Sequence, residues 1–320
     1  MISLMEKRFN EVIEEGLNFF KLGKYDDCIE ILSEAIAYAR LLKKENYLLK
    51  LMIKRADSYY HKGDYKRALK HCNRLAKYID QMDENDLIDF YEIRAISLAQ
   101  IGKYEDAIVE YQHLIKIPNN KAQFKAFAGL GLVYYHQARY LHQEDKYNTA
   151  LFYYEKALKQ KEIDKRDISM ILHNIGMVYY EKGYYQKALL RFFEVLRFHI
   201  KETLPYTYNE IAKVYIRLGN LDKASEYIDK ASIILANVGS KNQAEFARNF
   251  FVKALYYKVL KEYDTAIFFF KLALNELKDR EIIAEIADIY HELANIYKDV
   301  DPERSIDYLA EARSYFKMLK

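Results

Sequence analysis

The chain has 320 residues, 51% apolar and 30% charged, a balance that suits a folded protein and argues against disorder. Three prolines and ten glycines are too few for a turn-rich β architecture, so the composition predicts an all-α protein. Fifty basic against 47 acidic residues leave a net charge of +3, no footprint for direct nucleic-acid binding.

Met1 to Arg8 contain no apolar stretch suited to a signal peptide, and no later run reaches the roughly 18 apolar residues of a membrane span. Cys28 and Cys72 are too few for a disulfide framework, so a cytoplasmic location is expected.

One pattern then repeats down the chain: Gly-x-Tyr-x-x-Ala-x-x-x-aromatic-x-x-Ala, with tolerated swaps. Residues 9–45 carry Gly23, Tyr25, Cys28, Leu32 and Ala35; residues 49–82 carry Gly63, Tyr65, Ala68, Cys72 and Leu75. Residues 88–120 follow with Gly102, Tyr104, Ala107, Tyr111 and Leu114. The fourth copy, 124–163, centres on Tyr147, Ala150, Tyr154 and Ala157, and the fifth, 169–202, on Gly183, Tyr185, Ala188 and Phe192. The sixth, 205–238, has Gly219, Leu221, Ala224, Ile228 and Ala231, and the seventh, 247–280, has Tyr263, Ala266, Phe270 and Ala273. A degenerate eighth, 286–320, keeps Ser305, Leu309 and Ala312.

The glycine marks a tight turn between two helices, where a positive φ needs the absence of a Cβ. Twelve residues before the motif's alanine position there is usually another small residue (Gly16, Ala56, Ala95, Gly176, Ala212 or Ala254), which lets paired helices approach closely. In the fourth copy the small residue, Gly131, precedes Ala150 by 19 positions, placing seven extra residues between Tyr134 and Lys146. These lengthen either the helix, by roughly 10 Å, or the loop. Asp83 to Asp86, Pro118 to Asn120, Asp164 to Asp167, Glu202 to Pro205 and Gly239-Ser240 punctuate the copies as stops and N-caps. None is a long linker, so residues 1–320 are expected to form one continuous domain.

Catalytic chemistry finds no foothold. The histidines, at 61, 71, 113, 136, 142, 173, 199 and 291, form no i,i+4 pair, and no metal or cofactor is expected. Phosphate-binding and nucleophile-elbow motifs are missing. Cys28 and Cys72 occupy packed positions of the repeat and read as small buried hydrophobes.

These repeats resemble tetratricopeptide repeats across essentially the whole chain. The resemblance implies a right-handed α-solenoid of about eight helix-turn-helix hairpins whose business is holding another polypeptide rather than catalysis. Two departures stand out. The family's early tryptophan is absent, and the spacing from Tyr25 to Tyr263 is 40, 39, 43, 38, 36 and 42 residues, with Leu221 standing in once, longer than the usual 34 or so.

In such a stack the first helices line the concave face. Asn209, Lys213 and Arg217 fall at i, i+4 and i+8 on one helix face; His173 and Asn174 precede them, and Arg248, Asn249, His291 and Asn295 follow. An Asn amide both donates and accepts, which suits a peptide backbone, and Lys213 with Arg217 suits a carboxylate. The co-chaperone pattern of Lys, Asn and Arg on three successive first helices is not matched, since Tyr206 and Glu210 stand where its basic pair belongs.

The stretch Leu172 to Gly183 (LHNIGMVYYEKG) is similar to first-helix segments of Rap-type, NprR-type and PlcR-type peptide-pheromone receptors. That resemblance implies that Asn174 and Asn209 clamp a peptide backbone. The first repeat begins within the first dozen residues, so no N-terminal helix-turn-helix or Rap-type helical bundle is expected ahead of it. The expected function is an intracellular bacterial peptide-binding regulator or sensor module, with a general assembly scaffold as the alternative. No membrane or nucleic-acid partner is expected. Ile306, Leu309, Tyr315, Phe316 and Leu319 give the last helix an uncapped apolar face, which predicts a homodimer through it.

Overall fold

In the computed structural model, residues 2–238, 243–278 and 283–318 are described, and among them the secondary structure is sixteen α-helices and one short 3-10 segment, with no strand. Each motif folds into an antiparallel hairpin. The first three pair α1 (Ile2–Lys21) with α2 (Tyr25–Leu41), α3 (Glu45–His61) with α4 (Tyr65–Leu75), and α5 (Glu84–Gln100) with α6 (Tyr104–Ile115). Then come α7 (Asn120–Tyr140) and α8 (Lys146–Leu158), α9 (Lys165–Glu181) and α10 (Tyr185–Leu196), and α11 (Leu204–Arg217) and α12 (Leu221–Val238). The series ends with α13 (Gln243–Val259) and α14 (Tyr263–Lys278), then α15 (Ile283–Tyr297) and α16 (Pro302–Met318).

The turns follow the predicted chemistry. Gly23, Gly63, Gly102, Gly183 and Gly219 all have φ between 71 and 87°. After each, the next backbone N–H closes on the helix five residues back, as in Tyr184 N to Tyr179 O at 2.8 Å. The seventh hairpin makes the same closure, Glu262 N to Tyr257 O at 3.0 Å, with Lys261 forced to φ 65° in place of glycine. Asp64, Asp83, Asp164, Asn220 and Asp301 each accept the backbone N–H three residues on, and Asn119 accepts from Lys121 and Ala122. The Gly239-Ser240 boundary lies outside the described residues.

Packing confirms the reading of the motif. Cys28, Ala68, Ala107, Ala150, Ala188, Ala224 and Ala266 are fully buried, and so are Leu32, Tyr154, Phe192 and Phe270 at the aromatic position. In the eighth copy Ser305 takes the alanine's place and satisfies its hydroxyl on the Ala294 carbonyl at 2.9 Å. At Gly176 a Cβ would stand 2.6 Å from the Phe192 ring, so the close approach of α9 and α10 depends on that glycine. Gly129 does the same for the Tyr111 ring of the preceding hairpin. Cys28 lies 3.2 Å from the Ser58 hydroxyl, and burial pushes the Cys72 thiol up to about 12, as expected of inert core cysteines.

The chain clusters into two compact units, Met1–Val133 and Tyr134–Lys320, the border falling within α7. That helix has 21 residues against 17 in α3, α5, α9 and α13, while its start lies at the same distance from its small residue. The insertion therefore divides. Residues 137–140 add about one helical turn, and the remainder lengthens the connection, where His142 takes φ 56°.

Candidate functional site

In the second unit, the first helices of successive hairpins present a band of charged side chains where their other positions are apolar. Arg139, on the extra turn of α7, ion-pairs with Glu181 of α9 at 3.5 Å and with Asp288 of α15, 149 residues away in sequence. Lys213 of α11 bonds Glu210 at 2.7 Å and sits 5.3 Å from the Tyr180 ring centroid. Arg217 is exposed and donates to the Tyr180 hydroxyl at 3.1 Å. Arg248 of α13 pairs with Glu245 on its own helix and with Glu285 of α15 at 2.8 Å, and lies over the Tyr206 ring.

Burial governs the electrostatics here. It raises the carboxyl groups of Glu245 and Asp288 against the pull of Arg248 and Arg139, respectively. Burial alone would lower Lys213, but Glu210 and Tyr180 outweigh it and the ammonium is stabilised. His173, 4% exposed and stacked on Tyr206 at 4.2 Å, is pushed down to about 3 by burial, with Lys213 and Arg248 adding to the effect. Its imidazole is neutral at physiological pH.

The sequence-predicted residues divide between two roles. Lys213 and Arg248 lie in the charged band, and Asn174 is half-buried beside the Tyr154 hydroxyl. Asn209 and Asn249 are 1% and 2% exposed, and Asn249 donates to Asn209 Oδ1 at 2.9 Å while accepting the Ser232 hydroxyl. That pair ties α11, α12 and α13 together. His291 and Asn295 are exposed on α15. On α16, Ile306 is 65% exposed and Leu309 half-buried, whereas Tyr315 and Phe316 pack onto the α15 core, Tyr315 stacking on Tyr290. Leu319 lies outside the described residues. The part that Glu181, Glu210, Glu245, Glu285 and Asp288 play in the band escaped the sequence reading, because an acidic residue on a helix ordinarily faces water.

The first unit holds a cavity of about 290 Å³ lined by Asp57, Tyr60, His61, Asp89, Glu92, Ile93, Ile96 and Lys125. Asp57 bonds Lys54 and His61, which outweigh the effect of burial and hold its carboxyl low; Glu92 pairs with Lys125 and is raised by burial. Nothing in the sequence signalled this cavity, whose linings come from three hairpins. Among the described residues there is no cluster of three or more His, Cys, Asp or Glu able to hold a metal ion, and no helix long and apolar enough to cross a membrane.

Paired antiparallel helices with this motif at every hairpin define a tetratricopeptide-repeat protein, a fold built for protein–protein interaction. Residues 17–236 match the family described as the SusR N-terminal TPR domain, and the chain belongs to it. The photosystem I assembly protein Ycf3 of Synechococcus elongatus is 32% identical over 123 residues. That match covers 36% of this chain and 66% of the relative, so the chain spans just under two thirds of the curated relatives' length.

Among solved structures, the Rap conjugation gene regulator of plasmid pLS20, in complex with the Phr* peptide, superposes with a TM-score of 0.65 at 15% identity, covering 98% of this chain and 96% of that one. A tetratricopeptide repeat protein from Parabacteroides merdae gives 0.57 at 17% identity, covering 96% and 99%. At such identities the likeness is one of fold.

Proposed function

We propose that this chain binds an extended peptide along the first-helix face of the fifth to eighth hairpins, as an interaction module of a regulator or sensor. The observation that carries this reading is the charged band itself. Five carboxylates, together with Arg139, Lys213 and Arg248, converge from α7, α9, α11, α13 and α15 beside the aromatic rings of Tyr180 and Tyr206. Charge-assisted hydrogen bonds are strong and directional, and arginine and aromatic side chains are enriched at protein interfaces. The Rap regulator's match over nearly its full length supports the same reading, since that protein is seen with a peptide. Asn174, Lys213, Arg217 and Arg248 are the side chains we assign to contact, while Asn209 and Asn249 hold the helices that present them.

Equilibrium dialysis against a mixture of random hexapeptides, with mass spectrometry of what is retained, tests this. The native chain enriches a subset of peptides, and Lys213→Ala with Arg248→Ala lowers that enrichment about tenfold or more, as expected for the loss of roughly 1.4 kcal/mol. Absence of any enrichment by the native chain contradicts the reading. A second reading, a scaffold for assembling a complex, draws on the sequence likeness to Ycf3, an assembly protein. A folded partner captured where peptides are not would favour it.

A further inference from the structure

The donors and acceptors of this face do not balance. Glu210, Glu245 and Glu285 come from three successive first helices, α11, α13 and α15, and lie close enough for Glu245 to feel both of the others. Two cations serve the three: Lys213 bonds Glu210, and Arg248 bridges Glu245 and Glu285. Lys213 reaches Glu210 Oε2 at 2.7 Å, whereas in Glu245 and Glu285 Arg248 serves one oxygen and the second is buried without a hydrogen-bond partner. An unsatisfied buried carboxylate oxygen costs more than a neutral group, and a cluster with one excess negative charge calls for an added donor of positive charge.

A second observation points to the same place. His173 is 4% exposed, stacks on Tyr206 beneath Arg248, and has no partner at either ring nitrogen. A neutral imidazole offers one donor and one acceptor, the complement of a peptide group. Asn209 Nδ2 is likewise buried without an acceptor.

We infer that Glu245 and Glu285, which share Arg248 beside the Lys213–Glu210 pair, are the seat for one cationic group of the bound polypeptide, an amino terminus or the side chain of Arg or Lys, with His173 serving the adjoining peptide group. The seat rests on the peptide reading of the same face and adds the sign of the partner's charge. Arg248 and Glu285, with side chains 30% and 31% exposed against 12% for Glu245, are the most exposed members and form its opening. Entry of a cation displaces Arg248 partway from Glu285 and supplies the donors that the covered oxygens lack.

The test uses the full chain and four hexapeptide mixtures, random except at one position, which holds Arg or its neutral isostere citrulline, each with a free or an acetylated amino terminus. The expected result is retention about tenfold higher when one of the two positive charges is present, with Glu245→Gln plus Glu285→Gln reducing that preference to within about twofold. The Arg or free-terminus arm that carries the preference identifies the source of the cation. Because the native chain supplies the primary comparison, it stands even if the double variant fails to fold, and Glu285→Gln alone then replaces it. Equal retention of all four mixtures overturns the cationic seat while leaving peptide binding intact. A charge preference that survives in the glutamine variants overturns its placement. Failure to retain any mixture removes the peptide reading and the seat together.

Discussion

At the scale of single residues, polarity on a helix face does not distinguish a contact from a brace. Asn209 and Asn249 lie 40 residues apart on different hairpins, and no spacing along one helix reveals that they bond each other. Asn209→Ala is therefore expected to leave Asn249 partly unsatisfied and lower stability by about 1–3 kcal/mol, read as a lower urea midpoint; an unchanged midpoint contradicts the brace. His173 carries a pH signature. Its folded pKa of about 3 lies below the unfolded value near 6.5. Between those values the unfolded chain binds the extra proton, so stability is complete above pH 6.5 and falls as the pH drops. From pH 7 to 5 this one group accounts for about 2 kcal/mol. Denaturant melts of His173→Leu should show a shallower acid loss than the native chain, and equal losses would contradict the buried neutral imidazole. Gly176→Ala, its Cβ pressed against Phe192, should cost about 1–2 kcal/mol after its helix-propensity gain is allowed for.

At the scale of elements, the repeat made the hairpins legible because each motif position has one physical duty. The alanine admits the neighbouring helix, the aromatic fills the space behind it, and glycine reverses the chain. The same logic exposes the seventh turn, where Lys261 is exposed and held at positive φ with the hydrogen bonds its glycine counterparts make. Lys261→Gly should stabilise the protein by roughly 0.5–1 kcal/mol, the strain relieved less the added freedom of the unfolded chain. Thermal unfolding would show it, and a lower transition temperature would contradict it. The long fourth repeat was legible in position but not in form. Residues 134–141 contain no breaker, so helix and loop were equally open to the sequence. The division matters because it is the added turn that carries Arg139 to Asp288.

At the scale of the molecule, the likeness to peptide receptors rested on one segment of α9, and the charged band lay hidden because its members come from five helices. Acidic residues such as Glu181, Glu285 and Asp288 look solvated until the hairpins stack and bring Arg139 and Arg248 beside them. The band therefore belongs to the tertiary structure, and the polar stripe read from the sequence marked its neighbourhood more than its membership. Backbone hydrogen exchange, with and without a saturating pool of the retained hexapeptides, tests the central claim most directly. Binding on the first-helix face predicts slowed exchange in α9, α11, α13 and α15, with α2, α4 and α6 unchanged. Protection confined to the first unit, or to the second helices of the hairpins, would contradict it.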